Sequence, residues 1–152
     1  MGSIFDITPL TLEGLGIAVF CSLLIGFERQ WRGKPAGIRT SILICVSAYI
    51  FVAISHQYPA NTERMRVVGQ IVTGVGFLGA GVIIAREGLI QGVTSAAVIW
   101  VLAAIGSLVG LQHHGAALLI AFTALVVLIG ITLMESLINH LKTGVHEDKN
   151  KK

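Results

Sequence analysis

Polar and apolar positions along this chain segregate into blocks and do not alternate residue by residue. Five apolar runs, at 10–27, 38–55, 67–85, 93–111 and 116–138, are separated by short segments that hold most of the charge. Each run is close to the roughly 20 residues with which a helix crosses a hydrocarbon layer about 30 Å thick. They are too long and too continuous for buried strands. The pattern predicts an all-α polytopic membrane protein, a bundle of about five transmembrane helices within residues 1–141. A polar tail follows at 142–152, KTGVHEDKNKK, which is expected to be a disordered cytoplasmic segment. The connections REGLIQG and QHHG are short, so spans three, four and five are expected to be antiparallel neighbours.

Composition strengthens this reading. Of 152 residues, 54% are hydrophobic and 12% charged, and the mean hydropathy is +0.81, whereas a soluble domain carries about 25% charged residues. The lipid bilayer is therefore the first expected partner. Nine of the 11 Lys and Arg fall in the first connection, the third connection and the tail, and only Arg64 and Arg66 lie on the opposite side. The positive-inside rule then places the N-terminus outside and the C-terminus in the cytoplasm. No basic stripe is interleaved with aromatics, so no nucleic-acid partner is expected. The opening MGSIFDITPLTLEG lacks the basic start of a cleaved signal peptide, and Asp6 breaks the myristoylation pattern.

The segment VVGQIVTGVGFLGAGVIIAREG contains GVGFLG, a literal G-x-G-x-x-G. A dinucleotide loop needs a strand before it, a helix after it and an acid about 20 residues on. Positions 99 and 100 are Ile and Trp, and the motif lies inside a membrane-length apolar run. The glycines are better read as helical. Close backbone approach is what holds transmembrane helices together, and small residues permit it. Span one carries Gly14, Ala18, Ser22 and Gly26; span three carries Gly69, Thr73, Gly76 and Ala80, with Gly74 and Gly81 on a second face. Span four carries Ala96, Trp100, Ala103, Ser107 and Gly110. Two small faces on span three predict that it lies at the centre of the bundle or at an oligomer contact.

The polar residues are few. Glu28 stands among Arg29, Arg32, Lys34 and Arg39 at the end of span one. The cations serve as headgroup anchors, but the acid requires a partner, expected to be Arg39 or Arg29. Gln70, Thr73, Thr94, Ser95 and Ser107 are the uncharged polar groups of spans three and four. Back-bonding to the helix is their default, and N-capping that of Thr94 or Ser95. Cys21 and Cys45 fall in apolar runs and are expected to be packing residues. His113 and His114 lack further nearby ligands for a metal. No HExxH, nucleophile elbow, aspartate pair or Walker A sequence occurs. A non-enzymatic protein without cofactor or metal is expected.

Three blocks, GFERQWRGKPAGIRT, VVGQIVTGVGFLGAGVI and GVTSAAVIWVLAAIG, together resemble the signature blocks of the MgtC/SapB family of bacterial inner-membrane proteins. The matching positions include Glu28, Arg29, Gly37, Arg39 and Thr40 in the first block and Gln70, Gly74, Gly76, Gly79 and Gly81 in the second. The third supplies Gly92, Ala96, Ala97 and Trp100, with Thr94 where virulence-type members have Asn and Val101 where they have Cys. The resemblance implies a regulator linked to low-magnesium adaptation and survival in host phagocytes, working through helix contacts with a membrane-protein partner or as a homo-oligomer. It suggests the F-type ATP synthase as that partner, although the short tail favours the SapB-like short form without a soluble C-terminal domain. Glu28, Arg29, Arg39, Thr40, Gln70, Gly74, Gly76, Gly79, Gly81, Thr94 and Trp100 are the resulting candidate interaction residues. A small oligomeric ion or solute transporter, with Glu28, Arg39, Thr94 and Gln70 along a polar path, is the alternative.

Overall fold

The computed structural model describes residues 7–57, 61–86 and 89–137. The expected tail, 142–152, lies outside them. The described residues form five helices, α1 (Leu12–Trp31), α2 (Ile38–Ser55), α3 (Asn61–Gly81), α4 (Val93–Gly110) and α5 (His114–Leu137), with one small hairpin, β1 (Ile84–Arg86) and β2 (Leu89–Gln91), between α3 and α4. The class is all-α, as the apolar blocks predict. Helices satisfy every backbone group within one segment, the requirement that a hydrocarbon environment imposes. By length and composition α2, α4 and α5 are able to cross a membrane. The protein is a membrane protein.

Local chemistry sets the helix ends. Thr11 caps α1, its side chain accepting from the Gly14 amide at 3.0 Å. Tyr49 of α2 braces this cap: its hydroxyl accepts from the Thr11 amide at 2.7 Å and donates to the Thr11 carbonyl at 3.1 Å. At the other end of α1, Gly33 turns left-handed at φ 61°. Its amide reaches the Gln30 carbonyl, and the Lys34 amide reaches that of Arg29, a Schellman ending that lets the chain reverse into α2. Gln30 then accepts from the Ile38 amide, supplying the cap that Gly37 lacks. Gln112, at φ 64°, makes the corresponding ending between α4 and α5, with His113 bonded back to Leu108 and Gln112 to Val109.

Two local expectations are corrected. The apolar run 67–85 does not stay helical to its end: α3 stops at Gly81, and Ile84–Arg86 pairs antiparallel with Leu89–Gln91 in the register Ile84 to Gln91. The β-branched Ile83 and Ile84 beyond Gly81 suit an extended chain better than a helix. Neither Thr94 nor Ser95 caps α4. The cap is Gly92, left-handed at φ 91° and packed so closely that a Cβ there would lie 2.0 Å from the Val82 carbonyl oxygen.

The helix at the centre is α4, not span three. It touches all four other helices, most extensively α2, and Leu102, Ile105 and Val109 are fully buried in it. Ala18, Cys21 and Ile25 of α1, Cys45, Tyr49 and Ala53 of α2, and Ala117 and Ala121 of α5 complete the main cluster. Glycine geometry explains the outcome. A Cβ on Gly106 would lie 2.1 Å from the Cys45 carbonyl oxygen, and one on Gly110 2.5 Å from Val52 Cβ. The stripe on α1 behaves likewise, Gly14 against Tyr49 and Gly26 against Ile38 and Ser41. Both cysteines are free and buried, in keeping with a packing role.

Candidate functional site

Two features stand out after the core is accounted for: a polar cluster where α1 ends, and a glycine-bearing face of α3 that nothing covers. The cluster begins with Glu28 and Arg29, 7% and 3% exposed. Arg29 Nη2 donates to Ser95 Oγ at 2.5 Å, tying the end of α1 to the first turn of α4. Arg32 Nε lies 2.6 Å from Glu28 Oε1. This is an ion pair that meets the carboxylate off the N–H direction, since neither Glu28 oxygen has a hydrogen-bond partner of good geometry. Arg32 Nη1 also donates to Thr132 Oγ1 of α5. The cluster therefore joins α1, α4 and α5.

The partner of Glu28 is thus Arg32. The expected Glu28–Arg39 pair does not form; Arg39 and Thr40 are exposed on the first turn of α2. Nor does Glu28 pair with Arg29, whose bond goes to Ser95. The reason is the length of α1. The first apolar run ends at Phe27, but the helix continues to Trp31 and places positions 28 and 32 on one face. An i,i+4 Glu–Arg pair was the available signal for Arg32. Ser95 and Thr132 had none, because only packing brings them to α1.

The second feature lies on α3. Val75 and Gly79 are buried, and Gly76 and Gly79 sit under the Trp100 ring of α4 at 3.7 and 3.5 Å from a would-be Cβ. These three candidates are brought together, with Trp100 itself 45% exposed. By contrast Gly69, Gly74 and Gly81 have no atom within 4 Å of a would-be Cβ, and Phe77 between them is 83% exposed. α3 packs on α4 and only lightly on α2. A cleft of about 800 Å³ remains between α2 and α3, lined by Leu43, Ser47 and Phe51 on one wall and by Gln70, Gly74 and Leu78 on the other. GVGFLG is continuous helix, so no strand-turn-helix phosphate loop exists here.

Thr73 and Ser107 bond back to Gly69 and Ala103, as expected of hydroxyls in such helices. Thr94 lines a groove between α4 and α5, one residue before Ser95 of the cluster, whereas Gln70 lines the cleft between α2 and α3. Gln70, Thr94, Arg39 and Glu28 therefore do not line a single path within one chain.

The MgtC family model matches residues 15–137, which contain both features. The chain belongs to the MgtC family. Protein MgtC of Salmonella typhimurium strain LT2 is 40% identical over 135 residues, covering 87% of this chain and 57% of the relative. An uncharacterised protein of Synechocystis is 38% identical over 131 residues, with 86% and 56% covered. Protein MgtC of Brucella abortus strain 2308 is 45% identical over 95 residues, 61% of this chain and 40% of the relative. This MgtC-family chain spans little more than half the length of the first two. No solved structure matches it.

Proposed function

We propose that this MgtC-family chain is a non-enzymatic, multi-pass protein of the bacterial inner membrane that regulates other membrane proteins by helix-to-helix contact, in adaptation to low magnesium or intracellular stress. The observation that carries this reading is the contrast among its glycines. Gly14 and Gly26 of α1 and Gly106 and Gly110 of α4 are consumed by internal packing, whereas three of the five glycines of α3, Gly69, Gly74 and Gly81, face open space. Gly74 and Gly81, seven residues apart, share one face of α3, separate from that of Gly69; a partner helix can approach this face closely, and close approach is what holds helices together in lipid. The cleft beside α2 extends this surface and offers Gln70 for a polar contact. The F-type ATP synthase is the partner put forward by the family resemblance.

The test compares stability with function. Gly74→Leu and Gly81→Leu are expected to leave the thermal midpoint in detergent nearly unchanged, within about 0.5 kcal/mol, as for surface changes. The same variants should fail to support growth of the host at limiting magnesium. Full growth with both variants would sink the docking reading. The transporter alternative makes a different demand, because purified protein in liposomes would have to pass an ion or solute without any partner.

Orientation is tested separately. Nine of the 11 basic residues lie on one side of a five-span arrangement. A reporter fused after Lys152 is therefore expected in the cytoplasm and one inserted at QYPANTE outside. Labelling of a C-terminal tag by a membrane-impermeant reagent in intact cells would overturn that arrangement.

A further inference from the structure

The polar cluster and the α4–α5 groove are parts of one surface. The groove has a volume of about 390 Å³ and is floored by Ile25, with walls from Thr94, Ala97 and Val101 of α4 and Thr123 and Leu128 of α5. Each element leads from the groove into the cluster within a turn. Ile25 is four residues before Arg29, Thr94 adjoins Ser95, and Leu128 is four residues before Thr132. The groove residues of α5 run from Leu119 to Leu128, about 14 Å of helix at 1.5 Å per residue. An apolar slot of that length ends at two guanidinium groups.

The cluster retains donors for a ligand. Arg32 sets Nε beside Glu28 in the ion pair and gives one Nη1 proton to Thr132, so that even with Nε set aside three of its five N–H donors are left. Its side chain is 25% exposed, so these donors can be reached. Behind it, Arg29 is buried with Nε lacking a partner. Glu28 offsets one of the two cations and leaves the cluster positive, with exposed Lys34 following in the turn. On the outer side of α1, the Phe27 and Trp31 rings lie 5.9 Å apart, tilted by 34°, and are largely exposed. Trp is enriched at headgroup depth, and Trp31 immediately precedes Arg32, which sets the Arg32 guanidinium near the level of lipid phosphates.

We propose that the α4–α5 groove and the Arg29–Arg32 cluster form a binding site for an anionic phospholipid, one acyl chain lying in the groove and the phosphate on Arg32. Basic pockets between transmembrane helices recognise headgroups in this way, and the planar guanidinium fork suits phosphate oxygens. The site lies away from the α3 face and does not depend on the regulatory reading.

The experiment uses the full chain in detergent, with retained lipid read by native mass spectrometry and stability by thermal midpoint. Phosphatidylglycerol is expected to be retained in preference to phosphatidylcholine and to raise the midpoint. Arg32→Gln should weaken phosphatidylglycerol binding about tenfold, or 1.4 kcal/mol. Ala97→Leu, which fills the groove and leaves the cluster intact, should weaken it as well, so the result does not hang on one ion pair. Equal retention of the two lipids would overturn the site, as would undiminished phosphatidylglycerol binding by Ala97→Leu. A full midpoint shift from inorganic phosphate alone would also overturn it, since that result requires no acyl chain.

Discussion

Gly106→Ala is expected to yield little or no folded protein, while Gly74→Ala stays close to the parent. One added methyl group separates these outcomes. At Gly106 the Cβ would lie 2.1 Å from the Cys45 carbonyl oxygen and 2.9 Å from Ala48 Cβ. The nearest atom belongs to the α2 backbone, which cannot rotate away as a side chain could. Relief requires α2 and α4 to separate, and theirs is the most extensive helix contact in the bundle. Overpacking costs about 1 to 3 kcal/mol where side chains can adjust, and more is expected where they cannot. At Gly74 nothing lies within 4 Å. Size-exclusion profile and thermal midpoint in detergent check both variants. A Gly106→Ala protein with the parental midpoint would show that α2 and α4 do not pack through this glycine.

The second large effect is expected from the ion pair. Glu28→Gln and Arg32→Gln should each lower the thermal midpoint, and the double variant should lose less than the sum of the two. The 2.6 Å contact is broken by either change, so the second change has little left to remove. Coupling between contacting residues is about 0.5 to 3 kcal/mol. The lower part of that range is expected, because Arg32 is a quarter exposed and partly screened by solvent. Glu28→Gln combined with Arg39→Gln should be additive, since Arg39 stands exposed on α2. Additivity for the 28/32 pair with coupling for the 28/39 pair would reverse the assignment.

The same cluster shows where sequence reasoning ended. Glu28 was legible as an acid in need of a partner, because a carboxylate among cations at a membrane boundary has few other uses. Its partner was not legible from a hydropathy boundary. Phe27 ends the apolar run, but helix formation follows backbone bonding and capping, and the Schellman turn at Gly33 carries α1 on to Trp31. That extra turn selects Arg32 over Arg39. Ser95 and Thr132 are 66 and 100 residues from their arginine partners, and no local pattern connects positions so far apart.

The glycines divide along the same line. Block hydropathy determined that the chain is helical and belongs in a membrane, because long apolar runs in lipid have no other way to satisfy their backbone groups. Spacing alone also showed that the small residues of α1 and α4 recur on one face each. Only the tertiary structure decided which of these faces are used. α4 occupies the central place, with Gly106 and Gly110 against α2. α3 bears five glycines, more than α1 or α4, but of these only Gly76 and Gly79 pack against α4, under Trp100. Its remaining glycines stay open because no other helix among the described residues covers them.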